Sequence, residues 1–287
     1  MLRVLDLASS GARTTEDIFT GVSHRMPKGR IFGGQVLAQA IIAADRTTED
    51  DRVPHSMHGY FLRPGDAAQG LTLSVDRIHD GRSFSTRRTQ AFQNGVPIFS
   101  MISSFERDDP GLDHQSPMPT GVPSPEAASA ALPDVHPLSH RLLADSPIEI
   151  VHADGAIYTS TSTASAATQN VWMRVRRPIG DDPAVHRAIL AYMSDLTIQE
   201  AVLRAHGIAW SLPGLTVASL DHAMWWHRPA RVDQWLLYAQ ESPSARGGRG
   251  LARGRLFTRE GELVATVAQE IMIRVPAGSV TPEVSDA

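Results

Sequence analysis

The feature that most constrains the fold of this 287-residue chain is a weak internal repeat. An aromatic-rich run ending in Arg-Pro occurs at residues 55–64 (HSMHGYFLRP) and again at residues 221–229 (DHAMWWHRP). Two further markers follow each copy in the same order. The first is a tripeptide with a central arginine, at residues 81–83 (GRS) and 245–247 (ARG). The second is a hairpin-turn signal between alternating segments, Asn-Gly at residues 94–95 and Glu-Gly at residues 260–261. Three markers at nearly constant separation indicate two copies of one structural unit.

Each half also contains a helical pattern upstream of its strands. After the Gly-Gly pair at 33–34, residues 35–44 are almost entirely apolar, so this helix must be buried on nearly every side. In the second half, the Asp-Pro pair at 182–183 is a good helix start, and the pattern predicts one helix to about Ala205. A buried helix followed by antiparallel strands, twice over, predicts an α+β fold with sheets wrapped around helices.

The composition between the two copies predicts where one domain ends and the next begins. We expect an N-terminal domain of residues 1–107, a proline-rich surface linker of residues 108–145, a C-terminal domain of residues 146–275 and a polar tail of residues 276–287. A strand signal at residues 147–151 opens the C-terminal domain.

Charge and composition exclude several classes of function. The formal net charge of −4 argues against a nucleic-acid binder. The absence of cysteine excludes cysteine nucleophiles, thiolate metal sites and disulfides, and the histidines show no metal-ligand spacing, so no metal or cofactor is expected. No window approaches the roughly 18 apolar residues of a membrane span, and the start of the chain lacks a secretory apolar core. We therefore expect no membrane insertion and a cytoplasmic location.

Several short motifs, spread over nearly the whole chain outside the linker and the tails, form a specific set. They are FGGQ at 32–35, HSMHGYFLRPGD at 55–66, DGRSF at 80–84, YMSDL at 192–196, LDHAMW at 220–225 and VAQE at 267–270. In this order and spacing, the set resembles the type II (TesB-like) acyl-CoA thioesterases. The resemblance implies a double hotdog fold and hydrolysis of fatty acyl-CoA to free fatty acid and CoA. It also implies a homo-oligomer, a dimer or larger.

The resemblance further implies a catalytic trio of an Asp, a hydroxyl residue and a Gln. The matching positions are Asp195, Ser219 and Gln269. The hydroxyl residue is usually Thr in the family. Serine keeps the hydroxyl but lacks the methyl group that restricts its rotation, so the chemistry survives with a looser orientation.

Asp195 can also be singled out without the family. Helical spacing places it on one face with Ala188, Ala191, Ile198 and Val202. A carboxylate on an apolar face costs several kcal/mol unless it is hydrogen-bonded or reaches water. The alternative is a helix kink or local cap at this point that satisfies the carboxylate through the backbone.

Gln269 and Ser219 are candidates from strand alternation. Gln269 is the lone polar residue on its predicted strand face, which otherwise holds Leu263, Ala265, Val267, Ile271 and Ile273. Its alternative is a structural amide that ties two strands together. Alternation places Ser219 with Val217, Asp221 and Ala223, where an ordinary small polar residue is the alternative. Asp221 is a rival carboxylate that we rank second.

Together the trio would activate water against a thioester carbonyl. Asp195 would accept a proton from the water, and we favour this role over that of a nucleophile. Ser219 and Gln269 would orient the water and the carboxylate, with Gln269 also a candidate donor to the developing oxyanion. Backbone N–H groups near Gly33 and Gly34, or near Asp195, are further candidate donors.

A second group of residues is predicted to bind substrate: Gly33, Gly34, His58, Gly81, Arg82 and Arg246. Guanidinium groups suit the phosphates of CoA. The alternatives are a solvated strand face for the arginines and a hydrogen-bonded structural role for His58.

Two rival functions remain. One is a non-catalytic acyl-CoA-binding protein of the same fold. The other is a hotdog-type enoyl-CoA hydratase, which carries a Gly-Asp-x-Asn-Pro-x-His loop. Here residues 64–66 (PGD) are followed by Ala-Ala-Gln, without the proline or the histidine, so the hydratase is disfavoured.

Overall fold

The computed structural model describes residues 1–11, 15–24, 29–107, 109–131, 146–159 and 166–276. Residue 108 and residues 132–145 of the predicted linker lie outside this part, as does the predicted tail after its first residue. The predicted division into domains stays a prediction.

The first half contains the first predicted helix and a set of antiparallel strands. Its elements are α1 (Leu2–Leu5), β1 (Ala8–Ser9), β2 (Asp17–Gly21), α2 (Gly33–Asp45), β3 (Arg52–Phe61), β4 (Leu71–Asp80), β5 (Phe84–Gln93) and β6 (Val96–Arg107). As predicted, α2 is buried on nearly every side. The Asn-Gly turn signal is confirmed, because Asn94 and Gly95 both have positive φ between β5 and β6.

The second half also places a helical segment before a set of antiparallel strands, but this segment is interrupted and forms two helices. Its elements are α3 (Pro125–Ala131), β7 (Ile148–His152), β8 (Thr168–Val175), α4 (Pro183–Ser194), α5 (Glu200–Ala205), β9 (Thr216–Ser219), β10 (Asp221–Trp226), β11 (Leu236–Arg246), β12 (Arg249–Thr258) and β13 (Leu263–Arg274). The strand predicted at 147–151 is confirmed as β7. The predicted helix start is also confirmed, since the Asp182 side chain caps α4 by accepting from Ala184 N.

The prediction of one continuous helix to Ala205 is wrong. The helix ends at Ser194, Asp195 is its C-cap residue, and a separate short helix, α5, begins at Glu200. The interruption of the helix that the alternative predicted is therefore present, but the Asp195 carboxylate accepts from Gln269, Ser219 and the distant Gly34 N–H, not from the local backbone. The apolar partners predicted for Asp195 are nevertheless all buried, because the chain turns inward between the two helices.

The strands of the two halves join into one antiparallel sheet. Within the described residues its order is β1-β2-β4-β5-β6-β3-β10-β13-β12-β11-β8-β7, with β9 pairing separately with β13. The halves meet where β3 pairs with β10, with Met57 opposite Met224. The two aromatic-rich copies of the repeat therefore form the seam of the molecule.

The two long helices pack against each other on the inner side of this sheet and run antiparallel. The charges of Arg187 and Asp182, at the start of α4, act on Asp45 at the end of α2. At the other end, Gly34 in the first turn of α2 lies against Tyr192 near the end of α4. Each helix thus contributes one terminus to each end of the interface.

The described part of the predicted linker lies over the outer face of the second half. Pro123 O accepts from Trp172 Nε1 at 2.9 Å, and Gln115 Oε1 accepts from Leu263 N at 3.0 Å. Ala128 of α3 packs in a small apolar cluster with Trp172 and Phe257. Among the described residues, no helix is long and apolar enough to cross a bilayer.

Candidate active site

The candidate site lies where the N-terminus of α2 meets the C-terminus of α4. A Cβ atom on Gly34 would lie 2.5 Å from Tyr192 O and 2.4 Å from the Phe32 ring. One on Gly33 would lie 2.7 Å from Asp195 Oδ2 and 3.0 Å from the Phe61 ring. The Gly-Gly pair is therefore needed for the close approach of the two halves at Asp195.

Asp195 is held in this junction by neutral donors from both halves. Its side chain is only 2% exposed. Its Oδ1 accepts from Gln269 Nε2 at 3.0 Å and from Ser219 Oγ at 3.3 Å. The backbone N–H of Gly34 also donates to the carboxylate. Burial raises the pKa of Asp195 to about 6, and these three hydrogen bonds limit the rise.

Gln269 lies on the inner face of β13, as alternation predicted, with every other predicted member of that face buried. Its Nε2 donates to Ser219 Oγ at 2.8 Å as well as to Asp195. Both amide hydrogens are thus engaged by the other two members of the trio. This geometry favours an orienting role for Gln269 over that of an oxyanion donor.

The predicted alternation around Ser219 is wrong. The strand breaks at Leu220 between β9 and β10, so Ser219 does not share a face with Asp221 and Ala223. The inward residue after the break is His222, which is 1% exposed. Ser219 still reaches Asp195, because β9 pairs with the far part of β13 instead of continuing β10.

The rival carboxylate, Asp221, has a structural partner. Its Oδ1 accepts from Glu270 N at 2.7 Å, which ties the start of β10 to β13. Burial raises its pKa, but its side chain is directed at the backbone of a neighbouring strand and not at the trio. The ranking of Asp195 above Asp221 agrees with this geometry.

His222 was not among the predicted site residues. Its Nδ1 contacts Gln269 Oε1, and its Nε2 lies 3.0 Å from Ser194 Oγ. Burial lowers its pKa to about 4, although the contact with Gln269 opposes the shift, so the ring is neutral at pH 7. The signal was present in the sequence, since His222 is the lone polar residue on the inner face of β10 with Met224 and Trp226.

One predicted oxyanion donor is already used. The N–H of Asp195 donates to Met193 O at the end of α4, so it does not point into the site. In the first turn of α2, the Gly34 N–H donates to Asp195 and the Gln35 N–H donates to Phe32 O at 3.1 Å, so Gly33 N–H remains as the candidate donor there. Ser219, Phe61 and Tyr192 are half-buried and lie beside Asp195 or the Gly-Gly pair that packs on it.

The structure does not bring His58, Gly81 or Arg82 to the trio. His58 is exposed on the outer face of the sheet, where its ring meets Trp225 edge-on at 5.1 Å. Gly81 and the exposed Arg82 lie in the turn between β4 and β5. This turn is near the C-terminal end of α2, about 20 Å of helix away from Asp195.

Arg246 lies elsewhere in the second half, at the exposed end of the β11–β12 hairpin. It lines a largely apolar cavity of about 230 Å³ together with Arg249, Val202 and Ile273. Ile273 lies on β13, four residues beyond Gln269. Among the described residues, no group of three His, Cys, Asp or Glu side chains is placed to hold a metal ion.

An acid held by an amide and an alcohol, at the junction of the two halves, has the groups needed to activate water for hydrolysis. Comparisons with known proteins agree. The family model for acyl-CoA thioesterase matches residues 150–272, and the model for the acyl-CoA thioesterase N-terminal domain matches residues 22–106.

Individual relatives extend the match over nearly the whole chain. Acyl-coenzyme A thioesterase 8 of Homo sapiens is 37% identical, over 95% of this chain and 88% of that protein. Acyl-CoA thioesterase 2 of Haemophilus influenzae is 35% identical, over 90% of this chain and 92% of that protein. The crystal structure of acyl-CoA thioesterase II TesB2 from Mycobacterium marinum is 39% identical with a TM-score of 0.77, covering 96% of this chain and 98% of that one.

The chain therefore belongs to the acyl-CoA thioesterase family. The double hotdog fold and the enzyme class implied by the sequence motifs, a thioester hydrolase, are confirmed. A protein with the hotdog fold from Alicyclobacillus acidocaldarius, 18% identical with a TM-score of 0.74, shares the fold alone.

Proposed function

We propose that this protein hydrolyses acyl-CoA with Asp195 as the general base. The observation that carries the proposal is a fully buried carboxylate whose described hydrogen-bond partners are all neutral. With its pKa raised to about 6, Asp195 is ionised at pH 7 and still basic enough to take a proton. A base is most effective when its pKa lies near the operating pH.

The reaction proceeds in two steps. A water molecule beside Asp195 attacks the thioester carbonyl carbon as its proton passes to the carboxylate, which leaves a tetrahedral intermediate with a negative oxygen. The intermediate then expels the thiolate of CoA and forms the free acid. The proton held by Asp195 is released to the thiolate or to solvent, which restores the base.

The other residues of the site hold this base in place. Gln269 and Ser219 both donate to Oδ1, and the Gly34 N–H donates to the same carboxylate. The Gly33 N–H and the positive end of the α2 dipole are the proposed source of oxyanion stabilisation, because Gly33 lies against Asp195 at the junction. The substrate would reach the base past Ser219, Phe61 and Tyr192.

Release of thiol from an acyl-CoA such as palmitoyl-CoA tests the proposal directly. Steady release that depends on Asp195 supports it. Stoichiometric binding without release would indicate instead the non-catalytic binder of the same fold.

Oxygen labelling separates a base from a nucleophile. After many turnovers in ¹⁸O-water, a general base leaves Asp195 unlabelled and places ¹⁸O in the fatty acid. Mass spectrometry of the peptide that contains Asp195 would detect label there if the carboxylate attacked the thioester and its acyl adduct were then hydrolysed.

Arg246 is the proposed contact for a CoA phosphate. It is exposed, and it borders the apolar cavity on the same half as the trio. Replacing it with Glu should raise KM at low salt with little change in kcat, because exposed charge attraction is screened by salt. The structure of the chain gives Gly81, Arg82 and His58 no comparable support.

The proposed assembly is a homo-oligomer, and the proposed compartment is the cytoplasm. Support for assembly is an exposed outer sheet face at the seam, where Tyr60 is 63% and Ile102 is 50% exposed. Sedimentation of the wild-type protein and of Ile102→Glu tests the oligomer, and cell fractionation tests the compartment.

A further inference from the structure

His222 is completely enclosed next to the proposed catalytic trio. It is 1% exposed on the inner face of β10, so it cannot touch a substrate. Its two ring nitrogens meet two different partners, Gln269 Oε1 on β13 and Ser194 Oγ at the end of α4. It therefore joins the strand that carries the amide to the helix that ends at Asp195.

The donors and acceptors around Gln269 fix the position of the imidazole proton. The carboxylate of Asp195 can only accept, so the amide must turn its NH2 group towards it. That NH2 group also donates to Ser219 Oγ, and the amide oxygen is left facing His222 Nδ1. Since Oε1 can only accept, the ring must carry its proton on Nδ1.

The remaining ring nitrogen has a matching partner. A neutral imidazole has one N–H group, so Nε2 accepts. The Ser194 hydroxyl lies 3.0 Å from Nε2 and 2.9 Å from Ala191 O, so its single proton is shared between these two acceptors. Burial keeps His222 neutral by lowering its pKa to about 4, which agrees with this assignment.

We infer that His222 is a positioning residue whose Nδ1–H holds the amide of Gln269 with its NH2 group on Asp195 and Ser219. Without this donor, Oε1 would be buried without a partner, and the amide would rotate to find one. The inference rests on the proposed function, because the alignment matters for catalysis only if Asp195 is the base.

The first half of the chain shows which substitution the fold accepts. Counting back from the Arg-Pro of each repeat, Met57 on β3 corresponds to His222 on β10. Met57 is fully buried and pairs with Ser103, which corresponds to Gln269. His222→Met therefore installs the side chain that the other half uses at this place. His222→Asn is the conservative partner, because its amide nitrogen can donate from near the position of Nδ1.

A double-mutant cycle tests the action of His222 through Gln269. We expect His222→Met to lower kcat about 30-fold with KM within about twofold, less than the roughly 100-fold expected for losing the amide itself. His222→Asn should keep kcat within about threefold of wild type. In a Gln269→Ala background, His222→Met should cause no further fall, because residues that act as one unit are not additive. An equal fall in both backgrounds, or an Asn variant as slow as the Met variant, would overturn the inference.

A spectrum of the wild-type enzyme tests the same geometry without any substitution in the measured protein. Two-bond ¹H–¹⁵N correlation of the histidine rings at pH 7 should show one ring in the Nδ1–H form, and this signal should vanish in either His222 variant. With the ring assigned through its backbone resonances, an Nε2–H or doubly protonated His222 would rule the inference out even if the variants fail to fold. This measurement needs no turnover, so it fails separately from the proposed function, which Asp195→Asn tests.

Discussion

At or just after the end of each long helix, the hydroxyl oxygen of a Ser or Thr lies close to the carbonyl oxygen three residues earlier. In the first half, Thr47 Oγ1 lies 2.8 Å from Ala44 O just after α2. In the second half, Ser194 Oγ lies 2.9 Å from Ala191 O at the end of α4. The side chains around these two helix ends differ in charge, and this difference bears on why the proposed base lies in the second half.

The end of α2 is closed by a buried arginine. Arg87, 1% exposed, donates to the hydroxyl of Thr47 at 2.8 Å and to its carbonyl at 2.9 Å. Its charge is balanced by Asp80, which is half exposed at 2.7 Å. The first half therefore buries a cation beside the end of its helix and pairs it with a half-exposed carboxylate.

The end of α4 is closed by neutral side chains. The Ser194 carbonyl accepts from Tyr238 OH at 2.9 Å, and its hydroxyl meets His222. Where Arg87 pairs with Ser103 in the first half, the small Ala252 pairs with Gln269 in the second. The space beside the helix end thus holds polar groups that bind a carboxylate instead of a cation.

A second buried carboxylate in the same half shows that burial alone is not sufficient. Glu200 lies 2.8 Å from His152 Nε2 and also accepts from Gln169 and Trp210. Burial alone would raise the pKa of Glu200, but the charge of His152 and these hydrogen bonds hold it below its usual range. Of these two buried carboxylates, Asp195 is the one whose described partners are all neutral, and this supports its proposed role as the base.

The largest effect on turnover is expected for Asp195→Asn, which removes the proposed base at the end of α4. We expect kcat/KM to fall about 1000-fold, because the base is lost while the shape of the side chain is kept. Asp45→Asn is the matched control. Asp45 ends α2, burial raises its pKa to about 6 as well, and it lies at the far end of the helix pair. Thiol release measures both variants, and a control as slow as Asp195→Asn would show that the site has been misplaced.

Replacing Gln269 with Ser gives the second half the residue of the first. Turnover should fall about 100-fold, because the carboxylate loses its strongest orienting donor. The control is Ser103→Ala, since Ser103 Oγ has no hydrogen-bond partner in the described part of the chain. Its activity should stay at the wild-type level. If Gln269→Ser changed only KM, the amide would be a binding group.

The pH dependence should report the raised pKa of Asp195. We expect kcat/KM to fall about tenfold per pH unit below pH 6, since the base must be ionised to act. Asp45→Asn should keep this acid limb, although Asp45 titrates in the same range. A flat profile between pH 5 and pH 7 would contradict the assignment.

The same pKa has a consequence for stability. The native state binds the Asp195 proton more tightly than the unfolded chain, so its contribution is fully present below the unfolded pKa of 3.8 and is lost as pH rises through about 6. At pH 8 Asp195→Asn should therefore be more stable than wild type, on the order of 3 kcal/mol at most. The gain should disappear near pH 4, as measured by denaturant unfolding.

A smaller effect is expected at the junction of the halves. Gly33→Ala places a Cβ 2.7 Å from Asp195 Oδ2, so the carboxylate must move by several tenths of an ångström. We expect kcat to fall about tenfold, because small displacements of a reacting group are costly. Gly180→Ala, whose Cβ would meet open space, is the control and should leave kcat unchanged.

The smallest effect on the rate is expected in the first half. Arg87→Met removes the donors to Thr47 and should lower the free energy of unfolding by about 2–4 kcal/mol. The kcat of the folded fraction should be unchanged, because the cation does not contact the trio. A loss of kcat without a loss of stability would mean that the two halves are catalytically coupled.

Much of the fold and the trio could be predicted because their signals are local. The burial of α2, the start of α4 and the inner face of β13 follow from spacing along one segment, and the family motifs supplied the three site residues. The predictions that were wrong concern places where a helix or a strand is interrupted. The chain leaves the helix at Ser194 and the strand at Leu220, and periodicity read through these breaks gave Asp195 a continuous helix and Ser219 the wrong neighbours.

The sequence by itself determined which residues are buried and which of them are polar, because hydrophobic period follows from local geometry. Only the tertiary structure decided which polar groups meet. Gln269 lies 74 residues from Asp195, and Gly34 comes from the other half of the chain. The raised pKa of Asp195 and the proton position on His222 depend on those distant partners, since a hydrogen bond forms only between groups that folding brings within about 3 Å.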